Sequence, residues 1–422
     1  REASAIGRTR NLGVVRPFLG PFLEIKLYMR ATSFSKLNKA FLIFLAKSVR
    51  VFVFGMVTIL VPIYLAKLGY SALMVGLAIF VIVSGNAVSN VFLTWYGNVF
   101  GRKRSLLVFS SLMALSGLLL FSSTSAPLVF VALFVGNIST NSTETGPFQS
   151  IETGVLPNLV KSKERAFGIY NFLGYITAAA GSLAASIPAY FSGSLLVFRD
   201  LFLLYGLVGI SLFVIYIGLS GVESSTSRPG LKAMAGSSKG DLWKLSTLFS
   251  MDAFGGGFVT QSLLSYWFYF TYHLSLKVLG PVFTVVNVIT ALSIIASSFI
   301  AERIGNLRTM FYSHLLSNVF LIMVPLSGFL SGALIFLFLR QSVSQMDVPA
   351  RQALMADLFN SDDRVSANAI TNTFRTVSAL PGAPITGYLL SAGFVTAPII
   401  IGGLSKISYD FSLFSSYRKK VR

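Results

Sequence analysis

The chain has no cysteine, only two histidines, and 15 acidic residues against 34 basic ones. Without cysteine there is no disulfide framework, no thiolate metal site and no thiol nucleophile. Charged residues of both signs make up 12% of the chain, against about 25% in an ordinary soluble domain. So low a charge content, with 54% apolar residues and a mean hydropathy of +0.73, excludes a soluble enzyme, a disordered chain and a fibrous protein. A water-soluble globule of this composition would expose far more apolar surface than monomers tolerate. The chain reads as a polytopic membrane protein whose main partner is the lipid bilayer.

Twelve apolar runs are long enough to cross a hydrocarbon layer of about 30 Å. They fall near residues 41–66, 72–96, 105–123, 127–156, 166–191 and 196–220, then 244–272, 277–301, 309–329, 331–357, 366–391 and 394–416. Helix is the expected state of each, because backbone groups in lipid must be satisfied within the segment, and the short alternating strands of a β-barrel are missing. The polar stretch 221–243 divides the chain into bundles at 41–220 and 244–417. Residues 1–40 and 418–422 form a basic N-terminal segment and a basic tail. Residues 1–28 lack a sustained apolar period. They read as sequence upstream of a start at Met29, with an Arg-rich presequence as the rarer alternative.

The net charge of +19 raises the question of nucleic acid, and the placement of the charges answers it. Lys and Arg crowd alternate loops (Arg102, Lys103 and Arg104; Lys161, Lys163 and Arg165; Arg303 and Arg308; Arg418, Lys419, Lys420 and Arg422), while the other side holds Lys67, Arg199 and Lys277. This is a topology signal rather than a phosphate-binding face, and it predicts cytoplasmic termini. No nucleic-acid partner is expected. The halves also repeat. Gly101-Arg102 after span 2 and Gly305 after span 8 share an offset of 204, and Ser142 through Pro147 matches Ser344 through Pro349 at 202. Duplicated membrane bundles are a common construction of secondary transporters.

The Gly101-Arg102-Lys103-Arg104 turn resembles the loop between helices 2 and 3 of the major facilitator superfamily. Asn98 stands at that family's aspartate position and Val99 beside it, and the C-terminal copy keeps Glu302-Arg303. Asp252-Ala-Phe-Gly255-Gly256-Gly257-Phe258 and Gln345-Met-Asp347-Val-Pro349-Ala-Arg351-Gln352 are similar to a drug-efflux-like subgroup of that family. The resemblance implies an all-α fold of 12 transmembrane helices in two pseudo-symmetric six-helix bundles, with spans 1, 4, 7 and 10 lining a central cavity. It further implies a secondary active transporter of the plasma membrane, expected to drive proton-coupled efflux of a small organic solute, with proton-coupled uptake as the alternative. It leaves the substrate open, because one fold serves many chemistries.

A charge near the bilayer centre costs about 2.5–3.5 kcal/mol, so each one kept there is a site candidate. Span 1 holds Lys47 and Arg50, span 4 Glu144 and Glu152, span 7 Asp252, and span 10 Arg340, Asp347, Arg351 and Asp357; Arg375, Lys406 and Asp410 are exceptions in spans 11 and 12. Arg340 lies about 12 Å into span 10, near the midplane. It is predicted to anchor an anionic group or to act on a nearby carboxylate, Glu144 or Asp252. Pathway candidates are Arg50, Asn137, Asn141, Glu144, Asp252, Gln261, Arg340, Gln341 and Gln345. A cytoplasmic gate is assigned to Asn98, Gly101, Arg102, Lys103, Glu152, Glu302, Arg303, Gly305, Asp347, Arg351, Asp357 and Arg375. Pro147 and Pro349 are expected to kink spans 4 and 10, and Pro381 to break span 11. The aromatic run Tyr266–His273 reads as an interfacial belt, with a substrate-facing cluster as the alternative.

A membrane enzyme is the competing reading. His273 and His314 stand on separate spans with no acid nearby in sequence, and no Walker loop, Rossmann fingerprint or zinc motif is present. No enzyme activity, cofactor or metal is therefore expected. A transport-inactive sensor or scaffold is the third reading, and a monomer is the expected state.

Overall fold

A computed structural model describes residues 34–143, 146–160, 162–219, 236–359 and 361–418. The described residues form helices with no strand. In chain order the α-helices are α1 (Phe34–Lys67), α2 (Ala72–Phe100), α3 (Arg102–Ser122), α4 (Ala126–Val135), α5 (Pro147–Val155), α6 (Lys163–Ala184), α7 (Leu195–Ile217) and α8 (Gly236–Gly257). They continue as α9 (Gln261–Tyr272), α10 (Leu276–Ile304), α11 (Asn306–Leu326), α12 (Leu330–Val343), α13 (Asp347–Leu358), α14 (Ser361–Ala379), α15 (Gly382–Ser391) and α16 (Ala397–Tyr417). Eight spans are single helices. Spans 4, 7, 10 and 11 are each two helices joined by a break. This is the expected twelve-span architecture.

Seven of the unbroken helices are apolar enough to cross a membrane unaided. The eighth, α16, is diluted by serines, Lys406 and Asp410. Large apolar side chains such as Leu118, Ile210, Val214 and Leu404 stay more than half exposed on the outer surface. In water that would be a liability; facing acyl chains it costs nothing. Gly101 and Gly305 turn the chain between α2 and α3 and between α10 and α11 with φ of 95° and 86°. These are left-handed conformations that a Cβ would strain, so the glycines of the repeated loop are set by geometry.

Two lobes pack around each other. Within the first, α1 lies against α6 and α7, and α3 against α7; within the second, α8 lies against α14 and α16, and α11 against α16 and α12. The main contacts between lobes are those of α2 with α15, α6 with α10, and α1 with α9. These crossings use the ends of α2, α6 and α10 remote from the basic loops. Gly76 and Gly387 bring α2 and α15 together, and Gly280 sits against Ser182 and Ser186. Small residues allow such close helix approach in lipid, where packing rather than hydrophobicity drives association.

Span 4 departs from expectation. Rather than one helix kinked at Pro147, it stops at Val135 and resumes at Pro147, which takes the first helical position of α5. There its missing N–H costs nothing. The intervening stretch includes Asn137 and Ser142 at φ of 53° and 58°. Short polar side chains compete for backbone groups and so favour turns over helix. Neighbours complete the satisfaction. Thr58 Oγ1 donates to Ser139 O (2.7 Å) and accepts from Ser142 N (3.2 Å), Asn86 Nδ2 donates to Ile138 O (2.8 Å), and Tyr205 Oη donates to Gly136 O (2.5 Å). Irregular backbone at membrane depth survives only inside protein or along a cavity. The break in span 10 is shorter, at residues 344–346, and Pro349 lies inside α13. The polar linker is shorter than expected, since residues 236–243 belong to α8.

Candidate functional site

Between the lobes lies a cavity of about 1080 Å³. Its walls come from both lobes: Asn86, Asn90, Asn141, Gln149 and Asn171 on one side, Gln261, Asn287, Gln341, Gln345 and Asn372 on the other. Trp95, Arg102 and Gly154 line its end towards the basic loops. The lobe-to-lobe contacts close the opposite end. Six basic side chains line this space, namely Lys47, Arg102, Arg340, Arg351, Arg375 and Lys406. No carboxylate does so among the described residues.

Behind the second lobe's wall is a smaller cavity of about 130 Å³, lined by Asp252, His314, Asn318, Arg340, Asp347, Arg351, Arg375 and Lys406. Asp252 is its hub. Lys406 Nζ lies 2.6 Å from Asp252 Oδ1, Arg375 Nη2 lies 3.5 Å from Oδ2, and Arg351 Nη1 lies 3.8 Å from Oδ2. Arg351 also reaches Asp347 at 3.5 Å, one helical turn earlier. His314 stands between two acids, its Nε2 3.3 Å from Asp252 Oδ1 and its Nδ1 2.5 Å from Asp410 Oδ1. Asn318 Nδ2 donates to Asp410 Oδ2 at 3.0 Å. A neutral imidazole has one N–H and cannot donate to both carboxylates, whereas imidazolium can. The cluster is therefore a place where a proton can reside.

The expected pathway residues separate on this frame. Asn141, Gln261, Arg340, Gln341 and Gln345 line the cavity. Asn137 is buried in the span 4 break, its Nδ2 donating to Val135 O. Glu144 lies outside the described residues, so its part in the pathway stays an expectation. Arg50 lies apart from these. Its guanidinium is fully buried within the first lobe, with Nη2 2.7 Å and Nη1 3.0 Å from the Glu152 oxygens. Tyr170 and Tyr216 donate to the same carboxylate at 2.7 and 2.6 Å. This four-residue knot ties α1, α5, α6 and α7 together and does not line the cavity. The expected partnership of Arg340 with Asp252 is also absent: Lys406, Arg375, Arg351 and His314 surround that carboxylate instead.

The expected gate likewise divides. Glu152 belongs to the knot just described. Asp347, Arg351 and Arg375 belong to the Asp252 cluster. Lys103 Nζ donates to Ile217 O at 2.6 Å, binding the repeated loop to the end of α7. Arg303 is exposed. The side chains of Asn98, Glu302 and Asp357 lie outside the described residues. Each ion pair among the described residues stays within one lobe. His314, at the centre of the Asp252 cluster, is the candidate that sequence reasoning missed. Its signal was spacing: His314/Asn318 and Lys406/Asp410 each put two polar groups one turn apart on an apolar helix.

The sequence profile of the Major Facilitator Superfamily matches residues 43–345. The chain belongs to this family. It is 25% identical over 405 residues to an uncharacterized membrane protein of Saccharomyces cerevisiae, covering 86% of this chain and 90% of that one. Its fold matches a crystal structure of the nucleoside transporter NupG at a TM-score of 0.72 and 11% identity, covering 90% of this chain and 100% of that one. A POT family transporter in complex with 5-aminolevulinic acid matches at 0.72 and 12%, covering 90% and 96%. Fold and family together point to a transporter rather than an enzyme.

Proposed function

We propose that this chain is a secondary active transporter that moves a small organic solute through the cavity between its lobes by alternating access. The observation that carries this reading is the cavity itself, walled by both lobes, sealed at one end by Gly76, Gly387 and Gly280, and lined towards the other by Arg102 and Gly154. Rocking one lobe against the other would exchange the open end. In this reading the open end, which lies towards the basic loops, faces the cytoplasm, and the protein works as a monomer in the plasma membrane. Efflux is the direction that the drug-efflux-like motifs in spans 7 and 10 imply.

Protons are the proposed coupling ion, and His314 between Asp252 and Asp410 is the proposed carrier, supported by two carboxylates competing for one ring. The groups facing it are Asp252 from α8, Asp410, Tyr409 and Lys406 from α16, Arg340, Asp347 and Arg351 from span 10, Arg375 from α14 and Asn318 from its own helix. The deciding experiment is flux of a solute panel in proteoliposomes under an imposed pH gradient. Saturable flux that follows the gradient in wild type and loses that dependence in His314→Gln supports the reading. Absence of saturable flux for every solute would favour a transport-inactive sensor.

A further inference from the structure

Arg340 sits near the end of α12, on the wall shared by both cavities. Its Nε is buried and has no hydrogen-bond partner. Its Nη1 donates to Gln341 Oε1 at 3.2 Å. No carboxylate pairs with it among the described residues, although four other basic groups nearby (Arg351, Arg375, Lys406 and His314) all find one. A guanidinium brought out of bulk water without an anion is costly, and such a group is retained where a ligand supplies the missing charge.

The rest of the wall agrees in sign. Three buried side-chain nitrogens lack a partner among the described residues: Arg340 Nε, Arg375 Nη1 and Gln261 Nε2. All three residues line the large cavity. Around Asp252 the described side chains place four permanent cations, Arg340, Arg351, Arg375 and Lys406, against three carboxylates, Asp252, Asp347 and Asp410. The surplus is positive even with His314 neutral. Arg340 is also held in place. Gln341 Nε2 donates to Thr290 Oγ1, and Thr290 donates to Val286 O, so the acceptor fixing the guanidinium is itself anchored. A fork fixed before binding loses little entropy when it takes a planar or tetrahedral oxyanion.

We infer that the transported solute is an organic anion, and that Arg340 holds its carboxylate or phosphate group while Gln261 and Arg375 supply the remaining donors. This rests on the transport reading for the word "transported" but not for the binding. Purified protein in detergent is therefore tested by thermal denaturation with matched probes, succinate against succinamide and glucose 6-phosphate against glucose. Each is used up to about 10 mM, above the ordinary KM range. At least one anionic member should raise the melting temperature where its neutral partner does not. Arg340→Gln should weaken that anion's apparent affinity by about 10- to 100-fold, the effect of losing one charged hydrogen bond. Arg340→Lys, which keeps the charge but not the fork, should fall between. Arg340→Gln should also melt higher than wild type without ligand, because it removes an uncompensated charge, an outcome that a structural role would reverse. Equal stabilisation by neutral partners, no stabilisation by either anion, or an undiminished shift in Arg340→Gln would each overturn the inference. Anion-specific stabilisation without flux in proteoliposomes would leave the anion site standing and remove the transport reading.

Discussion

Gly76 of α2 and Gly387 of α15 meet backbone to backbone across the two lobes. A Cβ built on Gly387 would stand 3.0 Å from the Gly76 Cα and 2.5 Å from the Ala72 carbonyl oxygen. Neither neighbour is a side chain that can swing away, so the closed end of the cavity depends on two missing methyl groups.

Gly387→Val should therefore push the lobes apart at the closed end and bias the protein towards the opposite opening. The natural absence of cysteine makes the check direct. A single Asn171→Cys on the cavity wall should react with a charged maleimide from the basic face in the parent. With Gly387→Val the reaction should slow severalfold. Unchanged labelling would mean that the contact does not govern the equilibrium.

Arg50 and Glu152 predict a different kind of loss. Both side chains are fully buried, so removing one strands the other. Arg50→Met or Glu152→Leu alone should cost about 3–5 kcal/mol, read as a large fall in melting temperature, while the double replacement recovers much of it. Because the pair lies away from the cavity, variants that still fold should keep the parent's pattern of stabilisation across the anionic and neutral probes. A selective change in substrate preference would return Arg50 to the pathway.

Much of this arrangement was legible in the sequence, and its limits follow from range. The twelve spans, the 204-residue repeat and the Gly101 and Gly305 turns depend on local composition and backbone freedom, which a linear reading captures. Counting residues along span 10 puts Arg340 near the midplane, and it does line the cavity. Its expected partner could not be found that way, because which carboxylate faces which cation depends on how helices rotate against one another. Arg340 was the cation expected at Asp252, and helix packing instead brings Arg351, Arg375 and Lys406 to it from three spans, Lys406 from 154 residues away. His314 was set aside because no acid lies near it in sequence; Asp410, 96 residues distant, supplies one. The break in span 4 was hidden because Asn137 through Thr143 is as readily a polar helical face as a turn. The hydroxyls of Thr58 and Tyr205 and the amide of Asn86, which donate to the carbonyls of the break, are what make the irregular path affordable.

As the proposed proton carrier, His314 should give the protein a pH dependence whose sign follows from charge. A proton on the ring adds to the positive surplus facing the cavity, so an anion there and the proton should each favour the other's binding. Apparent anion affinity should rise as pH falls in wild type. His314→Gln, which keeps a hydrogen-bonding side chain but cannot be protonated, should flatten that dependence. Titrating succinate or glucose 6-phosphate by melting temperature at several pH values would show it, and an unaltered slope in His314→Gln would assign the proton elsewhere.

Where α9 begins, the lobes are joined by hydrogen bonds as well as by packing. Ser262 N donates to Thr140 O at 3.0 Å, Ser262 Oγ to Thr58 O at 2.9 Å, and Gln261 N to Asn141 Oδ1 at 3.2 Å. The first two N–H groups of a helix have no partner of their own, so the span 4 break serves as a cap supplied by the other lobe. Opening the sealed end must separate them and leave α9 to be capped by water or solute. Ser262→Ala removes one bond and should ease that separation, whereas Thr58→Val removes two of the bonds that hold the break itself and should destabilise the fold by about 1–3 kcal/mol. The two variants are thus expected to divide. Ser262→Ala should slow labelling of Asn171→Cys with little change in melting temperature. Thr58→Val should lower the melting temperature, and Thr58→Ser, which keeps the hydroxyl, should restore it. If both variants only melted lower, the bonds would be packing glue rather than a latch between conformations.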